Sequence, residues 1–213
     1  MFGLFKKKSN LPPEVAAIFE KLYKFIEDEK AQNDSLPSGL KEAVIGGAST
    51  DTLNAGRPDT FGIAVDNPIP VNGPLGEFIY LSKLRSPNQK NVFFHRIGTL
   101  SKIDVYETVS FDTAHWEVLY LDMYHPRKSQ LTPKLYTIGD FDGVFSGTNA
   151  RVEDFPQGLP DAVSKCTKRM IGMPMPHPRI RTIIEVTKFE RTPEQNRKLL
   201  LLKGQGLQLS ATE

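Results

Sequence analysis

From Phe61 to Ile138 the chain breaks into apolar, β-branched and aromatic runs at intervals of about ten residues, with turn signals between them. This spacing is the strongest constraint on the fold. Strands this close can turn back antiparallel, whereas a parallel return needs a crossover of a dozen or more residues. The runs predict strands at 61–65, 77–84, 92–97, 103–111 and 116–124, with a short one at 135–138. Ser86-Pro87-Asn88, 98–102 and Asp112-Thr113-Ala114 supply the turns. No helical pattern intervenes, which argues against Rossmann and α/β-barrel folds.

Helices flank this region. Val15, Ile18, Phe19, Leu22, Phe25 and Ile26 recur at steps of three and four, predicting one amphipathic helix over 13–30. Residues 31–60 read as a connector with one helical turn at 40–45, ended by Gly46-Gly47. Pro160 in the first turn starts a short helix over 159–170. The prolines of 173–178 exclude helix there. Ile180 to Phe189 reads as a late strand. Thr192-Pro193-Glu194-Gln195 is a capping box, and its helix runs to Gly204. The expected fold is α+β: a mostly antiparallel meander sheet with an N-terminal amphipathic helix and C-terminal helices packed on its apolar face. The expected organisation is a flexible basic N-terminus at 1–10, one domain over 11–204 and a loose tail at 205–213.

Charge and composition exclude several classes. A net charge of +2 carries no nucleic-acid signature. Residues 151–213 hold 11 Lys+Arg against 7 Asp+Glu, a modest basic excess that fits a solvated face more often than an acidic partner. No run is long enough to span a membrane. In Phe2 to Lys8 the apolar residues precede the lysines, the reverse of a secretory signal, so the chain reads as cytoplasmic. One cysteine, Cys166, excludes an internal disulfide and any multi-cysteine zinc site. The four histidines lack ligand spacing, Walker and Gly-x-Gly-x-x-Gly loops are missing, and no metal or cofactor is expected.

Candidate site residues come from two places. Asp66 to Glu77 contains three prolines and two glycines, the composition of a stiff loop, with Asn67, Asn72 and Glu77 as its polar groups. His95-Arg96 lies in a strand, where the two side chains take opposite faces. A meander brings Glu107 or Glu117 beside one of them. Glu107 shares its face with Ile103, Val105, Val109 and Phe111, so it must be paired, protonated or at a rim. A cross-strand ion pair satisfies this without any catalytic role. The aromatic face of 116–124 is expected to pack under the N-terminal helix.

The resulting expectation is a non-catalytic ligand- or protein-binding module. Asn67, Asn72, Glu77, His95 and Arg96 would line its site at the sheet end and take a small anionic ligand or an acidic peptide. The alternative is an enzyme using His95 with Glu77, Glu107 or Glu117 as an acid–base pair.

Overall fold

Strand β3 (Val92–Leu100) is the axis of the molecule, bonded on one side along its length and on the other in two short steps. The computed structural model describes residues 13–49, 51, 57–143, 145–172 and 178–212. In it β3, β4 (Ile103–Ser110) and β5 (Trp116–Asp122) form the expected antiparallel meander. The register slips once, between Arg96 and Gly98. Short strands make the sheet mixed: β1 (Ile69–Pro70) runs parallel to β5, and β7 (Gly147–Thr148) parallel to β3. A separate two-stranded ribbon joins β2 (Leu84–Arg85) to β6 (Thr137–Ile138). The fold is α+β, with seven helices among the described residues.

The N-terminal stripe forms α1 (Pro13–Glu27), but it ends at Asp28 instead of running to residue 30. Asp28 accepts the Ala31 N–H and so starts a second helix, α2 (Glu29–Asp34). The Gln32 amide fixes this elbow by donating to the Phe25 and Ile26 carbonyls at the end of α1. The turn expected at 40–45 is part of α3 (Ser38–Ile45), which stops at Gly46.

Two expected strands are helices. Of residues 77–84, 77–83 belong to α4 (Gly73–Lys83) and Leu84 begins β2, so the presumed 66–77 loop is a short extended lead-in followed by a helical turn. A continuous apolar run reads alike as a buried strand or as a helix covered on all sides. Phe78, Ile79, Tyr80 and Leu81 are all buried, so α4 is the second kind. Gly73 makes the bend with φ +72°, and Pro74 occupies the first turn. At Gly76 a Cβ would lie 2.4 Å from Asn72 Oδ1, so only glycine lets the helix start against Asn72. Residues 180–187 lie in α6 (Pro178–Thr187), which buries Ile180 and Ile184 one turn apart. Packing at helical spacing overrides the β-propensity of that run.

Residues 61–65 are a turn rather than a strand: Gly62 has φ +72°, and its N–H bonds the Asn67 carbonyl. Helix α5 (Leu159–Ile171) and helix α7 (Pro193–Gly204) stand where expected, the latter with its capping box formed. After α7 the chain adds β8 (Gln208–Leu209) to β3, and Thr212 bridges to Arg151. The stretches 1–10 and 173–177 lie outside the described residues.

Helices cover both faces of the sheet, not one. On one face α4 packs Phe78 edge-on to Phe94, with Tyr106 beside it. On the other, Leu202 of α7 joins Ile97, Val105, Val118 and Tyr120. The aromatic face of β5 therefore packs under the C-terminal α7, not under α1. No helix among the described residues is long and apolar enough to cross a membrane.

Candidate functional site

Glu107 lies directly between His95 of β3 and Val118 of β5, on the face that α7 covers, and is fully buried. A carboxylate there survives only if donors replace its water. His95 Nε2 donates to Oε2 at 2.9 Å and Trp116 Nε1 to Oε1 at 2.8 Å. Arg191, just before α7, grips both oxygens, with Nε on Oε1 and Nη2 on Oε2. Burial alone would push the Glu107 carboxyl up. The bonds from His95 and Arg191 outweigh it and hold the group at about 2.

His95 is locked from its other side. The Val152 N–H donates to Nδ1 at 2.9 Å, so Nδ1 carries the lone pair and Nε2 the proton. The imidazole stacks on Phe155 at 4.1 Å and 8°, and Arg191 lies over the same ring. Burial lowers the His95 pKa, Glu107 opposes the shift, and the nearby Arg191 and Arg151 reinforce it, leaving the ring neutral. A proton on Nδ1 would point at the Val152 N–H. Both ring nitrogens and both carboxylate oxygens thus take part in internal bonds.

Above this cluster opens a cleft of about 430 Å³ between α7, β8 and residues 151–153. Ile97, Leu199 and Leu207 give it apolar walls, and Arg151, Arg191 and Lys203 bring positive charge. Arg191 is neutralised by Glu107, and Arg151 pairs with Glu153 at 3.2 Å. Lys203 has no ion-pair partner among the described residues. Across α7 lies a second hollow of about 400 Å³, where Lys198 bridges to Glu117 and lies 5.6 Å from the Trp116 ring centre.

The five residues expected to share one site are dispersed, and it is His95 that lines the cleft of about 430 Å³. Asn67 is 2% exposed and closes a turn, donating to Arg57 O and Thr60 Oγ1. Asn72, 1% exposed, donates to Gln32 Oε1 and Asn33 Oδ1, in a buried polar group that also takes in Lys128. It follows β1, three strand spacings or about 14 Å from β3. Glu77 and Arg96 do converge, on the sheet face opposite His95. Glu77 accepts from Tyr106 Oη at 2.9 Å, and Arg96 binds Asp104. Burial, then the neighbouring Asp104 carboxylate, pushes the Glu77 carboxyl well above its ordinary value. Asn67, Asn72 and the Oε2 of Glu77 are thus spent on internal bonds. Of the three carboxylates considered for His95, the meander register delivers Glu107, while Glu117 is taken by Lys198.

Arg191, Arg151 and Val152 escaped the sequence reading. Glu107 on an apolar strand face signalled that a cation was needed, but its supplier is 84 residues away. Among the described residues no three His, Cys, Asp or Glu side chains gather as a metal site, and Cys166 is buried in α5. Comparison with protein-family models, with curated proteins and with solved structures found no match.

Proposed function

We propose that the protein is a non-catalytic binding module and that the cleft between α7, β8 and residues 151–153 takes a small anionic ligand. The observation that carries this reading is the saturation of the cleft floor. His95, Glu107 and Arg191 satisfy one another, which suits a rigid base for binding more than acid–base work. The cleft volume lies within the range of small-molecule sites, and its apolar walls with a few polar groups have their composition. Arg151, Arg191 and Lys203 face only Glu107 and Glu153, so the local balance favours an anion. The ligand class is one carboxylate or phosphate on an apolar body, the charge meeting Lys203 and the body meeting Leu199 and Leu207. The acid–base alternative, His95 with Glu77, Glu107 or Glu117, has less support. Glu107 is beside His95, but Trp116 and Arg191 also hold its carboxylate. Glu77 is on the other face of the sheet, and Glu117 is neutralised.

Amide chemical-shift titration with phenyl phosphate, phenylacetate and neutral phenylethanol tests the proposal. The two anions are expected to move the Val152, Lys203 and Leu207 amides, and Lys203→Glu to abolish the response. Equal responses to all three probes, or none, would overturn it.

A further inference from the structure

Helix α7 carries four consecutive leucines, and helical geometry sends them to two sides. Leu199 and Leu202 face the sheet, whereas Leu200 and Leu201 are 64% and 61% exposed. Single exposed leucines need no explanation, but two adjacent ones on a ridge between two hollows form a patch. Leu200 and the half-exposed Leu209 border the cleft, and Leu201 borders the hollow that contains Trp116. Arg197 and Lys203 stand one turn to either side, about 9 Å apart along the axis. Neither makes an ion pair among the described residues.

We propose that this ridge docks an acidic amphipathic segment of a partner protein, whose apolar side chains pack on Leu200 and Leu201 and whose carboxylates meet Arg197 and Lys203. The charge pattern selects this occupant. A second copy packed about a two-fold axis at Leu200–Leu201 would set Arg197 of one chain against Lys203 of the other, a like-charge contact. A lipid surface would leave both hollows unfilled. A polypeptide can fill the hollows and supply carboxylates at the required spacing. The proposal does not rest on the small-ligand reading, and because both occupants use Lys203 and the cleft they would compete. It places part of the basic excess of the final third in an interface.

The test uses Trp116, the only tryptophan in the chain, as the reporter. Tryptophan-free helical peptides are titrated into the full-length protein. One carries leucines at i, i+3 and i+4 flanked by glutamates, and its counterpart has lysines in place of the glutamates. The acidic peptide should change Trp116 fluorescence saturably and bind at least tenfold tighter than the basic one. Arg197→Glu with Lys203→Glu should reverse that preference, and Leu201→Asp should weaken both. Circular dichroism identifies any variant that fails to fold, and Arg197→Glu alone, at an exposed position, then serves instead. An unchanged preference after charge reversal would overturn the proposal. So would Leu201-dependent binding to phosphatidylserine vesicles without peptide binding, or Leu201-dependent dimerisation. Phenyl phosphate binding in the Arg197→Glu and Leu201→Asp variants reports separately on the cleft.

Discussion

His95 and Glu107 are direct cross-strand neighbours whose bond is completed by a backbone amide on one end and an arginine on the other. The chain Val152 N–H to His95 to Glu107 to Arg191 ties β7's continuation, β3, β4 and the approach to α7 into one unit. Its members are distant in sequence, so the cluster fixes tertiary arrangement.

Removing one member should be costly. Glu107→Gln leaves Arg191 and His95 facing a neutral amide, and breaking a buried pair in this way costs about 3–5 kcal/mol. The pH dependence follows in sign. The folded Glu107 carboxyl sits at about 2 against an ordinary 4.5. Its contribution is complete above 4.5 and is lost as pH falls towards 2. Urea unfolding between pH 7 and pH 3 should show a steep acid limb in the natural protein and a shallower one in Glu107→Gln. Parallel limbs would remove Glu107 as its cause.

The His95 tautomer can be observed directly. Long-range ¹H–¹⁵N spectra should show a neutral ring protonated at Nε2, persisting below the ordinary histidine range because burial disfavours the cation. Since the unfolded histidine binds its proton more readily, this group too removes stability as pH falls. A ring that titrates near 6.5 would contradict the locked geometry and reopen an acid–base role.

The strand ladder around this pair was legible because alternation and turn signals are local. The 103–111 run showed a carboxylate on an apolar face, which demanded a partner, and a meander offered His95 or Arg96 depending on register. Arg191 was not legible, since nothing local to Phe189-Glu190-Arg191 says which strand it will reach. Helix α4 was misread for a different reason. Phe78 to Leu81 is apolar throughout, and periodicity vanishes when every side of an element is buried. The polar groups of 66–77 looked like a recognition surface because turn composition and exposure usually go together. Here Asn67 and Asn72 turn inward to bond the chain itself.

Glu77 should behave oppositely to Glu107. Its folded carboxyl is held well above the ordinary 4.5 by burial and by Asp104. The stability that its proton supports is complete below the unfolded value and is lost as pH rises through the folded one. Glu77→Gln keeps the shape, still accepts from Tyr106 and needs no proton. The variant should match or exceed the natural protein in thermal stability at pH 9 and show a flatter profile from pH 6 upward. A variant less stable at pH 9 than at pH 6, with the natural slope retained, would point to another group.

Asn72→Ala should loosen the α1–α2 elbow from α4. The change strands Gln32 Oε1 and Asn33 Oδ1 without the Asn72 donor, although Lys128 still reaches Gln32. Each stranded buried group costs about 1–3 kcal/mol. Hydrogen exchange should accelerate in 29–34 more than in β3 and β4. Uniform acceleration would mean that Asn72 stabilises the whole molecule rather than this joint.

The orientation of α7 is testable with two neighbouring leucines. Leu202 is 4% exposed and packs on Ile97, Val105 and Val118. Leu202→Ala therefore creates a cavity and should cost about 2–5 kcal/mol. Leu201, one position earlier, points away from the sheet. Leu201→Ala should change stability by less than about 0.5 kcal/mol, since surface truncations rarely do more. Intrinsic helix propensity cannot produce this contrast, because both substitutions are Leu→Ala in the same turn. Chemical denaturation of the two variants gives the comparison. Equal losses would mean that both leucines are buried in solution, with α7 rotated or its outer ridge covered by another chain.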